Sequence, residues 1–114
     1  MTSRREEFDD LVLDAADRVR RHLGTRYAGT EFAVQEVPPT DPAPWEDQTP
    51  PLGRLLRATN RRQDRVVVYR RPVEARALDA DDLVLIVREV VTQQVAALLG
   101  VPPEELDPEI DPDL

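Results

Sequence analysis

Residues 81 to 99, DDLVLIVREVVTQQVAALL, place Leu83, Ile86, Val87, Val90, Val91, Val95 and Leu98 at spacings of three and four. That period belongs to an amphipathic helix, and it constrains the chain more than any other feature. An apolar face this wide must be covered, so the other elements have to pack against it. Asp79 or Asp81 offers an acceptor for the free amides at the helix start. Gly100 can adopt the left-handed conformation that ends a helix, and Pro102-Pro103 prevents its continuation.

A second amphipathic helix is predicted over residues 3 to 22, with Phe8, Leu11, Val12, Ala15, Val19 and Leu23 on one side. Ser3 followed by Glu6 has the pattern of a capping box, and Gly24 stops the helix. Acids crowd its first half, while Arg18, Arg20, Arg21 and His22 fill its last turn, as the helix dipole favours. Residues 31 to 37, EFAVQEV, read as a strand. LGRLLRAT (52–59) and RVVVYR (65–70) flank the polar turn NRRQD and predict an antiparallel hairpin. Pro72 then opens a short helix through Ala77, a position where proline is tolerated. The expected architecture is α+β. It comprises an N-terminal helix, a small mixed or antiparallel sheet with a hairpin, and a long C-terminal helix. One domain spans residues 1–106, and an acidic flexible tail spans 107–114.

Composition narrows the chemistry. The chain of 114 residues is 40% apolar, which supports a single modest core despite 33% charge. It has no cysteine, so disulfides, thiolate metal sites and cysteine nucleophiles are excluded. His22 is its one histidine, against the several nitrogen or sulfur ligands that zinc requires. An all-carboxylate site for magnesium or calcium stays open. A net charge of -8 argues against nucleic acid as the main ligand. The acidic pairs Glu6-Glu7, Asp9-Asp10, Asp81-Asp82 and Glu104-Glu105 are explained by helix capping and solvation. With four glycines there is no phosphate-binding loop. No apolar run reaches the length of a membrane span, and the first residues lack a secretory pattern, so a cytoplasmic location is expected.

Two segments carry binding readings. PPTDPAPWEDQTPP, residues 38 to 51, holds six of the eleven prolines and is read as an ordered loop or polyproline-like arm. Its Trp45 either folds over the core as a lid or stands out as an anchor for a partner groove. The second segment is basic. Arg54, Arg57, Arg61, Arg62, Arg65, Arg70, Arg71 and Arg76 face only Asp64 and Glu74 between residues 54 and 76, a local charge of +6. These arginines either keep an edge strand solvated or form an anion site for an acidic segment or a phosphate. The tail from Glu104 to Asp113 carries -6; it either docks weakly and salt-sensitively on the arginine face, within one chain or between two, or stays disordered and serves solubility alone.

The order of elements, and VVVYRRPVEARALDADDLVLIVREVVTQQVAALLGV in detail, resembles the zincin-like (mini-zincin) metallopeptidase family. The likeness is to a divergent, actinobacterial-type branch of it. That family carries HExxHxxGxxD on its last long helix. Matched position by position, the two zinc histidines fall on Gln93 and Ala97, the general-base glutamate on Gln94 and the third ligand on Pro103; only Gly100 is retained. The resemblance therefore implies a metallopeptidase-like protein without zinc ligands, base or cofactor. It would have a binding or scaffolding role toward an unknown protein or peptide, in an unknown oligomeric state and away from membranes. Two alternatives stand beside it: an interaction module using the arginine hairpin and proline arm, and a peptidase with an unorthodox oxygen-ligated metal. The Gln94 amide is expected to be hydrogen-bonded within the motif face, because an unpaired buried amide costs about 1–3 kcal/mol.

Overall fold

The computed structural model describes residues 3–39 and 50–109. The first helix, α1, runs Arg4–Arg20 and buries Phe8, Val12, Ala15, Ala16 and Val19. Its start is held by Ser3, whose Oγ accepts from the Glu6 amide at 3.1 Å, as the sequence pattern predicts. Strand β1 (Glu31–Gln35), strand β2 (Gly53–Leu56), strand β3 (Arg65–Tyr69) and helix α2 (Arg70–Arg76) follow. The long helix α3 covers Ala80–Leu99, and a single turn, α4, covers Pro103–Leu106.

The sheet is mixed and three-stranded, in the order β1-β3-β2. β1 pairs parallel to β3, and β2 pairs antiparallel to it. The central position of β3 accounts for its sequence. Val66, Val67, Val68 and Tyr69 are each at most 2% exposed, the continuous apolar run of a strand buried on both faces. Register puts Phe32, Val66 and Leu55 in one row across the sheet, and Val34, Val68 and Gly53 in the next. These rows join Phe8, Val12 and Val19 of α1 and Val87, Val91 and Val95 of α3 in one core. The sheet thus supplies one wall and the two helices the other.

The ends of α3 are closed as expected. Asp79 accepts from the Asp82 amide at 2.8 Å, and Asp82 in turn accepts from the Leu78 amide at 2.8 Å. Gly100 sits in the left-handed region at φ 71°, where a Cβ would be strained. Arrest at Pro102-Pro103 is followed by something the periodicity did not predict. Pro103 opens α4, since its missing N–H costs nothing at a first helical position. That turn brings Leu106 into the core at 6% exposure. The hairpin is also shorter than expected. Regular pairing ends at Leu56; beyond it Asp64 accepts from the Ala58 amide at 2.8 Å and Thr59 bridges Arg62.

The acidic tail begins differently from expectation. Asp107 is 4% exposed and its carboxylate receives Arg88 in a fork, Nε at 2.5 Å and Nη2 at 2.7 Å. Arg18 of α1 approaches the same carboxylate at 3.4 Å, and Glu109 meets Arg88 at 2.6 Å. The start of the tail is therefore clamped to α1 and α3, not to the arginine hairpin. The remainder of the tail (110–114) and Trp45 with residues 40–49 lie outside the described residues.

Two consequences are measurable. Hydrogen bonds from Arg88 hold the Asp107 carboxyl below the usual carboxylate range, against burial, which pushes it up. A depressed folded-state pKa contributes stability that is complete above the ordinary aspartate value, about 4, and is lost as pH falls through the lowered one. Asp107→Asn is expected to cost about 2–3 kcal/mol in urea unfolding at neutral pH, and to remove part of the acid slope. Gly53→Ala tests packing: a Cβ there would lie 2.5 Å from Val90 Cγ1 and 2.9 Å from the Val67 carbonyl oxygen. A loss of about 1–3 kcal/mol is expected from the same measurement.

Candidate functional site

The motif positions lie on the last turns of α3 and the step into α4. Gln93 and Gln94 are half-buried and Ala97, one turn beyond Gln93, is exposed. Gly100 caps the helix and Pro103 begins the next. Strand β2 runs close beside this face because Gly53 has no side chain: a Cβ placed there would reach Gln94 Cγ at 3.7 Å. Just past β2, Arg57 sends Nη2 to the Ala97 carbonyl oxygen at 3.3 Å. That carbonyl belongs to the last helical turn, where acceptors lack intrahelical partners and the dipole favours a cation. Arg57 therefore caps the motif end of α3 from the end of β2.

The expectation for Gln94 is not met. Its amide forms no hydrogen bond with another described residue. The physical reason is its depth: half-buried at the rim beside β2, it keeps access to water and needs no protein partner.

The donor set does not fit zinc. Gln93 offers a neutral amide, Ala97 no donor atom and Pro103 only a backbone carbonyl, where zinc takes imidazole, thiolate or carboxylate. Gln94 cannot accept a proton near neutral pH, so it cannot serve as the base for a water held there. Among the described residues, no group of three or more His, Cys, Asp or Glu is arranged to hold a metal ion.

The eight arginines singled out in the sequence do not form one patch. Arg61, Arg62 and Arg65 line a concavity at the hairpin tip together with Glu31. There Arg65 is paired with Glu31 at 2.9 Å, and Arg62 donates to the Leu56 and Gln63 carbonyls at 3.3 Å each. At the opposite end of β3, about 16 Å away at strand rise, Arg70 and Arg71 converge on Glu36. Arg70 is bonded to both Glu36 and Glu74, and Arg5 adds a contact to Glu36 at 3.6 Å. The Arg70 hydrogen bonds hold the Glu36 carboxyl below the usual carboxylate range, and Glu36 raises the Arg70 guanidinium in return. These side chains tie β1 to α2. Arg76 is exposed at the end of α2, and Arg54 is exposed on β2. Of the eight, Arg57 is the one hydrogen-bonded to the motif segment, at the Ala97 carbonyl.

Two features escaped the sequence reading. The Arg88–Asp107 clamp joins residues whose partnership depends on the turn at Pro103. A cue existed in Arg88 itself, a lone cation between the core residues Val87 and Val90. The cap by Arg57 carried no cue, since one exposed arginine reads like another.

The comparisons agree with this architecture. No helix among the described residues is long and apolar enough to cross a membrane. No curated protein matches the chain at a significant level. The family model of the zincin-like metallopeptidases matches residues 27–110. That match takes in the whole sheet, α2, α3 and α4, well over half of the chain: this protein belongs to the zincin-like metallopeptidase family.

Proposed function

We propose that this chain is a non-catalytic, metallopeptidase-like protein whose motif face binds a carboxylate-bearing segment of a partner protein. The observation that carries the reading is the pairing of Ala97, a position without a donor atom, with Arg57, whose guanidinium reaches its carbonyl. The family's chemistry uses a metal cation at this end of the helix. Here the positive charge beside it is an arginine side chain. A guanidinium has five N–H donors in a fixed fork, and the bond to Ala97 uses one of them. The remaining donors suit a planar carboxylate in bidentate geometry. Gln93 and Gln94 add amides that both donate and accept, which suits the backbone of an extended segment and leaves it uncleaved.

The competing reading, a hydrolase using an oxygen-ligated metal, has no cluster of three or more metal-ligating side chains in its favour among the described residues. The two separate on one preparation of untagged full-length protein. Elemental analysis is expected to find zinc far below one equivalent, with no hydrolysis of unstructured protein substrates. Stoichiometric metal whose chelation abolishes a peptidase activity would overturn the proposal. In titration calorimetry at low salt, a short Asp/Glu-rich peptide is expected to bind. Arg57→Ala should weaken that binding roughly tenfold, the scale of one charge-assisted hydrogen bond. Unchanged affinity in that variant would remove Arg57 from the site and the reading with it.

A further inference from the structure

At the other end of α3, about 15–20 Å from the motif along the helix axis at 1.5 Å per residue, lies a concavity of about 610 Å³. It is formed between the first turns of α1, the end of α2 and the first turns of α3. Its floor is apolar, Phe8 and Leu11 from α1 with Leu83 and Val84 from α3, and Leu78 from the connection between α2 and α3 stands at its edge. Leu78 is 90% exposed and Val84 46%. Exposed leucines are common singly, but this one is held in place from both sides. Its amide donates to Asp82 at 2.8 Å, and the neighbouring Ala77 amide donates to Val73 at 3.1 Å. A tethered connection thus presents Leu78 to solvent at the edge of a hydrophobic depression. Concave apolar surface of this size is the form that binding sites take.

The rim decides which occupant fits. Glu7, Asp10, Glu74 and Asp79 line it against a single base, Arg4. Glu74 is neutralised by Arg70 at 2.5 Å, which leaves Glu7, Asp10 and Asp79 facing outward around the apolar floor. A second copy of this chain would bring the same acidic rim and the same overall charge of -8, so like charges would meet. Anionic lipid surfaces and nucleic acid are repelled for the same reason. We propose that this groove is a docking site for a short basic amphipathic segment of a partner protein, with an aliphatic side chain seated against Leu78 and Val84 and its cations on Glu7, Asp10 and Asp79. The proposal is independent of the reading of the motif face, since it uses none of the same residues.

The test uses the full chain, labelled with nitrogen-15, and a short helical peptide of leucine and lysine with its leucines at helical spacing. A counterpart with glutamate in place of lysine is run in parallel. Titration of the lysine peptide is expected to shift amides of residues 4–11 and 77–84 and to leave those around Gln93 and Arg57 unmoved. Leu78→Ser, at a position too exposed to disturb folding, should weaken binding roughly tenfold. Glu7→Gln with Asp10→Asn should weaken it further and flatten its salt dependence. Four results would overturn the proposal. They are the absence of binding, shifts spread over the whole acidic surface with no effect of Leu78→Ser, equal binding of the glutamate peptide, and concentration-dependent self-association through the same residues.

Discussion

The contact between α3 and the central strand β3 is the one that every other element serves. Val66 and Val68 point from the sheet into a cluster with Val87, Val91 and Val95 of the helix, all of them essentially inaccessible to solvent. Burying side chains of this size contributes on the order of 1.5–3 kcal/mol each, enough to dominate a domain this small. β1 and β2 flank β3 and extend its wall, and α1 covers the part of the α3 face that the sheet leaves open. Gly53 lets β2 approach α3 closely enough for that wall to close.

Around this core, charge serves mostly as fastening. Glu36 gathers Arg5, Arg70 and Arg71 where β1 meets α2. Asp107 gathers Arg88 and Arg18 where the chain leaves α4. Both clusters join segments distant in sequence, and both use arginine, whose planar fork satisfies a carboxylate with two parallel bonds. Exposed pairs such as Arg20–Asp17 contribute far less. The Asp107 clamp differs in kind, because its carboxylate is almost fully withdrawn from water and would be costly to leave unpaired.

The family scaffold accordingly carries two surfaces at opposite ends of one helix. The C-terminal end carries Gln93, Gln94 and Ala97 with the capping Gly100, and Arg57 bonds the Ala97 carbonyl. The N-terminal end has an apolar depression inside an acidic rim. Under the two proposals they differ in charge and take partners of opposite sign.

The elements themselves were legible in the residues. The spacing of Leu83 to Leu98, the run Val66–Tyr69 and the stop at Gly100 depend on local periodicity and backbone preference, which act over a few residues; α1 instead ends at Arg20, four residues before the Gly24 expected to stop it. Family membership was legible for the same reason, because the YRRP step and the α3 pattern are local signatures. The absence of imidazole, thiolate or carboxylate at Gln93, Ala97 and Pro103 was equally plain, since side-chain chemistry does not depend on the fold. Tertiary structure alone decided which arginines are free. Arg65 and Arg70 look alike in the chain, yet each is consumed by a glutamate more than thirty residues away, while Arg57 finds the end of α3. It also decided that Asp107 belongs to the core and that Leu78 overlooks a groove. Those outcomes depend on where separate elements come to lie against one another, and that placement is set by the packing of the whole core.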